Sequence, residues 1–267
     1  MKVTELVGRF HGQLILMQTF DNEDVRPRVD TGKEQSPREF AVVGSYLRSL
    51  AHVRTLVQLK HESHFQAVAM IARSLFELAV DISLIDRIED APAKYAAFSD
   101  FVRLGAAQRI VDFHSTHEVD EPLQHLWVYE KFKNDKAAAV DAKAKELWPK
   151  QPRPRHWSGM DLRQRAVFLG APYDEIYDVH YAELSWYTHP GVGVVSALEA
   201  KTYRVVCAAG YAVATRCYRQ TLLFMIRDLR LVEADPLIEK KMEFARIAAF
   251  ADDEEHAMKL RRALLGY

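Results

Sequence analysis

With only two cysteines in 267 residues, the chain has little scope for covalent cross-links. Cys207 and Cys217 fall in one stretch of helical periodicity. Ten residues of helix rise about 15 Å, more than the ~7 Å a disulfide can span. Both are expected to be free, buried thiols. An excess of one charge is also missing: 36 Lys and Arg face 37 Asp and Glu, a net charge of −1. That balance gives no global attraction to nucleic acid or to an anionic membrane, so any such binding needs a local patch. Long apolar runs are absent too. The longest uncharged stretch, Leu184 to Leu198, is interrupted by His189-Pro190-Gly191, and a bilayer span takes about 20 apolar residues. Near the N-terminus, Lys2, Glu5 and Arg9 break the pattern a signal peptide requires. These readings predict a cytoplasmic protein with no membrane partner. Glycine is scarce as well. The 11 glycines make no phosphate-cradling loop, dinucleotide fingerprint or nucleophile elbow, and no cofactor is expected.

What the chain does have is helical periodicity, with no strand alternation or hairpin signal. Apolar residues make up 49% and charged residues 27%, the balance of a globular protein with a sizeable core. Lys2 to Phe20 is amphipathic, and the polar, Pro- and Gly-containing stretch Asp21 to Gln35 is expected to be a loop. Ser36-Pro37 starts a helix that should run to about Lys60, with serine as N-cap and proline in the first turn. Next, Phe65, Val68, Ala72, Leu75, Ala79 and Ile82 step in threes and fours, widened by Ile71, Leu78 and Ile85. Arg73, Glu77 and Asp81 form one narrow polar stripe on this central helix. Pro92 to about His117 and Glu121 to about Leu147 read as two further helices. Trp148 to Gly159 is proline-rich and irregular. Beyond it come a short helix closed by Gly170, a tyrosine-rich helix from Tyr173 to Thr188, a long helix from about Thr202 to Leu231, a helix capped by Asp235-Pro236, and a charged tail. The expectation is an all-α bundle of about eight to ten helices. It should form a single domain over residues 1–267, with the helices of 1–147 and 161–267 joined by an irregular basic loop at 148–160.

Four constellations are candidates for chemistry. Tyr173, Tyr177, Tyr181, Ser185 and His189 follow one another at four-residue intervals, so neighbours touch while the helix rotates beneath them. They fit an aromatic packing ridge ending in a histidine that complements the helix dipole. They equally fit a Ser185/His189 pair at the end of a cleft. Arg73 and Glu77 sit on a helix too apolar to lie on the surface. A buried arginine there needs a carboxylate or an anionic ligand. A third group, from Lys143 to Arg165, is strongly basic, with Trp148, His156 and Trp157 interleaved. Arg153, Arg155 and Trp157 are its candidates for holding phosphates and stacking bases. A solvated loop offset by Asp174, Glu175, Asp178 and Glu183 is the plainer alternative. Finally, Asp112, His114, His117, Asp120, Glu121 and His125 are ligand types in a short span, but they match no di-iron or zinc spacing. No metal is expected.

Three stretches carry a family likeness: RSLFELAVDISLI at 73–85, HWSG at 156–159 and YDEIYDVHYAELSWYTHP at 173–190. Over about residues 40–230 the chain resembles an uncharacterised, mostly bacterial, all-helical family known only as a domain of unknown function. The shared pattern is an Arg-x-x-x-Glu helix, a Trp-containing turn and a Tyr-x-x-x-Ser-x-x-x-His-Pro element. The resemblance singles out Arg73, Glu77, Trp157, Tyr181, Ser185 and His189, and implies no established activity. A more distant resemblance is to the HEPN superfamily, helical nucleases and nucleotide-binding proteins of toxin–antitoxin and phage-defence systems. The mark of that superfamily, Arg followed by four to six residues and then His, occurs at Arg54-to-His61 and Arg109-to-His114, outside the three stretches, so the likeness rests on helical architecture.

Together these features predict a polar pocket built by Arg73/Glu77 and Ser185/His189. The Arg73 guanidinium should lie within ~8 Å of the His189 ring, the reach of a direct or one-water contact. As an enzyme, the protein would be a defence- or toxin-type effector cleaving RNA or another phosphodiester without a metal. His189 would be general acid or base, Arg73 would stabilise charge on phosphorus oxygens, and Ser185 or Tyr181 would position the substrate. Its partners would be RNA or a nucleotide-like anion, with a homodimer or a protein partner also compatible. The competing expectation is a non-catalytic helical binding or scaffold module in which the same residues form a structural network.

Overall fold

The computed structural model describes residues 2–30, 36–117, 126–150, 154–188, 200–251 and 254–266. Among them every regular element is helical and none is a strand, as the periodicity predicts. Among the described residues ten helices have seven or more residues. They are α1 (Val3–Phe20), α2 (Pro37–Leu56), α3 (Phe65–Arg87), α4 (Ala91–Thr116), α5 (Leu126–Leu147) and α6 (Leu162–Leu169). The seventh, α7, is a continuous run of Tyr173–Ile176, a π-helical turn Tyr177–Tyr181, and Ala182–Trp186. Then come α8 (Ala200–Asp228), α9 (Ile238–Ile247) and α10 (Glu254–Leu265). No described helix is long and apolar enough to cross a membrane.

Local chemistry explains the helix starts. Ser36 Oγ accepts from the Glu39 amide while the Glu39 carboxylate accepts from the Ser36 amide, a reciprocal capping box ahead of Pro37. Asp161 and Gln164 repeat the device before α6. Gly170, at φ 71°, ends that helix in a left-handed turn that a side chain would disfavour. Asp235 Oδ1 takes the Leu237 amide ahead of α9.

The chain divides into two compact units, one made of Met1–Glu34, Val42–Leu84 and Arg165–Tyr267, the other of Gln35–Ala41 and Ile85–Gln164. In the larger unit the α3 seam is the core: Val68, Ala72, Leu75, Phe76, Ala79 and Ile82 are each essentially inaccessible. Helix α1 lies along α8 and α9 and adds Leu14, Met17 and Phe20. Each such side chain, fully buried, contributes about 1.5–3 kcal/mol. Cys207 and Cys217 are free thiols buried on α8. Burial pushes Cys207 up to about 11, so it stays a thiol at neutral pH. In the smaller unit α4 packs along α5, burying Leu104, Ala107, Val140 and Ala144. Trp148 and Trp157 close its far edge, where Trp148 Nε1 donates to the Trp157 carbonyl at 2.7 Å.

Two expectations need correction. The stretch after Phe20 is no loop at its start: α1 continues into a π-helical turn, Asp21–Val25, and a 3-10 turn, Arg26–Arg28. The cause is Asp21, wholly buried, which accepts the hydroxyl protons of Tyr46 (2.6 Å) and Tyr218. Helix α2 ends at Leu56 and does not reach Lys60. The carbonyls just beyond it are met by other helices, Val57 O by the His11 ring at 3.1 Å and Leu59 O by the Tyr211 hydroxyl.

Helices α3 and α8 come close at Gly210. A Cβ there would fall 2.7 Å from Val68 Cγ1 and 3.5 Å from the Val68 carbonyl oxygen. In an open helix Gly→Ala gains about 1 kcal/mol, but overpacking costs about 1–3 kcal/mol, and here the clash should win. Gly210→Ala is therefore expected to lower the denaturant midpoint, and adding Val68→Ala should recover part of the loss. A midpoint above that of the wild type for Gly210→Ala alone would mean the helices are not in contact at this point.

Candidate functional site

Arg73 and Glu77 project from one face of α3 into the larger unit, where α7 meets them. Sequence reasoning left open whether the two pair directly. They do not: the Tyr181 hydroxyl stands between them, accepting from Arg73 Nη2 at 2.9 Å and donating to Glu77 Oε1 at 2.8 Å. The other terminal nitrogen of Arg73 donates to Thr188 Oγ1. The guanidinium carbon lies 4.8 Å from the centre of the Tyr181 ring. That ring is itself stacked on Tyr177 at 5.2 Å and tilted against Phe76 at 5.5 Å. The π-helical turn Tyr177–Tyr181 carries this ring. Burial raises the pKa of the Tyr181 hydroxyl; the Arg73 hydrogen bond opposes the shift and Glu77 adds to it. Tyr181 is thus held protonated at neutral pH, and the proton it shares belongs to a chain ending on Glu77.

Arg73 is half-buried, and all its hydrogen-bond partners among the described residues are neutral oxygens. Its Nε is buried without a partner. A half-buried cation served only by hydroxyls keeps much of its capacity to attract an anion.

Ser185 and Thr188 extend the site along α7 and its last turn. Ser185 Oγ donates to its own helix, to the Tyr181 carbonyl at 2.6 Å, and Thr188 Oγ1 donates to the Ser185 carbonyl at 2.8 Å. That leaves the Thr188 oxygen free to accept from Arg73. Thr188 escaped sequence reasoning because nothing in its spacing marks it; its amide and its hydroxyl both bond the Ser185 carbonyl, and the hydroxyl oxygen meets Arg73. The third charged residue of the stripe, Asp81, goes elsewhere: it pairs at 2.8 Å with Arg165, whose side chain is only 8% exposed. Arg165, read from sequence as part of the basic run, is therefore a buried partner of α3. His189 and Arg153 lie outside the described residues, and the expected Arg73–His189 approach with them. In the smaller unit Arg155 is exposed, whereas Trp157 is 2% exposed, T-shaped against Tyr95 at 5.9 Å. Trp157 thereby anchors the turn that bears Arg155 and His156, and its ring offers no open face for a base. Asp112 accepts from Lys133 at 3.1 Å, and no group of three metal-ligating side chains converges among the described residues.

A family model described as "Family of unknown function (DUF5677)" matches residues 39–200, more than half of the chain. The match takes in α3, the Trp157 turn and α7, the elements on which the sequence resemblance rests. Neither the curated proteins nor the solved structures give a match.

Proposed function

The chain belongs to this family of unknown function, and we propose that the Arg73–Tyr181–Glu77 cluster is its functional site, a receptor for a phosphodiester in RNA. The observation that carries this is the Arg73 guanidinium, half-buried, hydrogen-bonded only to hydroxyls, with Nε unpartnered. A phosphate oxygen supplies the charge that hydroxyls cannot.

The same residues suit metal-independent cleavage. A base takes the proton of the substrate's 2′-hydroxyl, the 2′-oxygen attacks the adjacent phosphorus, and the bond to the 5′-oxygen breaks. The leaving oxygen takes a proton from an acid, and a 2′,3′-cyclic phosphate remains. Arg73 neutralises charge gathering on the phosphorus oxygens. Glu77, which already accepts a hydrogen bond from Tyr181, is the base candidate, with His189 the acid. A toxin- or defence-type role, with the distant HEPN likeness, belongs to this same proposal.

The test is incubation of the full chain with labelled RNA and with DNA of equal sequence, both in excess chelator. Cleavage confined to RNA, ending in cyclic phosphate, is the expected result; no cleavage of RNA would remove the catalytic part. A second reading, the non-catalytic network, draws on one observation, the Tyr181 hydroxyl being fully used as acceptor and donor. Under it, RNA neither is cut nor binds, and Tyr181→Phe lowers stability alone.

A further inference from the structure

The smaller unit holds a pocket of its own, about 420 Å³ in volume, between α4, α5 and the Pro154-Arg155 turn. That volume is in the range of small-molecule sites, about 300–1,000 Å³. The apolar part of its lining includes Phe98 and Phe101, whose rings stack at 5.9 Å. Two guanidinium groups reach its rim from different elements, Arg109 from α4 and Arg155 from the turn. Both are exposed, and neither makes a hydrogen bond or ion pair among the described residues. Of the two carboxylates lining the same pocket, Asp112 is taken by Lys133, while Asp141 has no partner among the described residues. Gln108 adds a side-chain amide.

We infer that this pocket binds a mononucleotide. Each part of that ligand class answers to something present. The flat base lies against the phenylalanine wall, where stacking is tolerant of sequence. The phosphate takes the two free arginines, whose forks match its oxygens. The ribose diol donates to the Asp141 carboxylate, the same pairing by which an acidic residue holds ribose elsewhere. With Asp112 neutralised by Lys133, two arginines against Asp141 leave a net positive site, which selects an anion. All of these residues belong to the smaller unit, whereas the Arg73 cluster belongs to the larger one.

Gly105 gives the sharpest handle. It lines the pocket, and a Cβ built on it comes 3.6 Å from Arg109 Nη1, an ordinary contact. A larger side chain at this position therefore starts beside the guanidinium and grows into the cavity. Isothermal titration calorimetry of the full chain with AMP, adenosine and inorganic phosphate tests the proposal. AMP should bind, with adenosine and phosphate each weaker by about tenfold or more, because each offers only part of the recognised chemistry. Arg109→Ala and Arg155→Ala, both at exposed positions, should each weaken AMP by about tenfold. Gly105→Leu should abolish binding, and circular dichroism should report the same helix content as the wild type. The proposal is overturned if AMP does not bind, or if both arginine variants and Gly105→Leu bind it as the wild type does. That last result would place the nucleotide outside this pocket.

Discussion

Replacing Asp21 by alanine should destabilise the unit that contains it by about 2–6 kcal/mol, read as a lower urea midpoint. Two buried tyrosine hydroxyls would lose their acceptor, each at a cost of about 1–3 kcal/mol. Asp21, Tyr46 and Tyr218 all have zero exposed surface, so water cannot substitute. Asp21→Asn keeps one acceptor oxygen and an amide that can donate to the other hydroxyl, and it should cost about 1 kcal/mol at most. The pH dependence separates the two forms further. Burial lifts the Asp21 carboxyl above the usual aspartate range, only partly opposed by Tyr218, Tyr46, Arg54 and Arg26. The folded chain thus keeps this proton to a higher pH than the unfolded chain does. The stability it contributes is full in acid, below the unfolded value of about 3.9, and is lost as pH rises through the folded value. The stability of the wild type relative to Asp21→Asn should therefore fall between about pH 3 and neutrality. A difference that stays level, or rises, would mean the carboxylate is charged and satisfied throughout.

The second large effect is on activity. Arg73→Ala should lower RNA cleavage by about 10²–10³-fold, the usual loss when one preorganised donor to a developing oxyanion is removed. Arg73→Lys should not restore it, since an ammonium cannot hold Tyr181 and Thr188 while forking onto a phosphate. Stability should move little, by about 1–2 kcal/mol, for the loss of two hydrogen bonds and a ring contact. The reason lies in the geometry: without Arg73, Glu77 still accepts from Tyr181, and Thr188 still donates to the Ser185 carbonyl. The sequence alone suggests a heavier penalty, on the premise that Glu77 would be left buried and unpaired. A loss of fold matching the loss of cleavage would assign Arg73 to the structural network and not to a site.

The amino-acid sequence by itself determined the helical class, because its signals are local. The three- and four-residue steps from Phe65 to Ile82 specify a buried face whatever they pack against, and those residues are buried. Ser36-Pro37 and Gly170 act through neighbours within one turn, so they too were legible. The sequence also placed Arg73, Glu77, Tyr181 and Ser185 under suspicion, since charge on so apolar a helix demands a polar partner. Which partner was decided by tertiary structure alone. Tyr181 lies between Arg73 and Glu77, Thr188 completes the arginine's bonds, and Asp81 turns to Arg165, because of how α7 and α6 are rotated against α3. Such a rotation is set by the fit of whole helix faces, to which no single spacing corresponds. Asp21 makes the same point more sharply. In sequence it opens a polar stretch that reads as solvent-facing loop; only when α1, α2 and α8 come together do Tyr46 and Tyr218 converge on its two oxygens and make burial of a carboxyl tolerable.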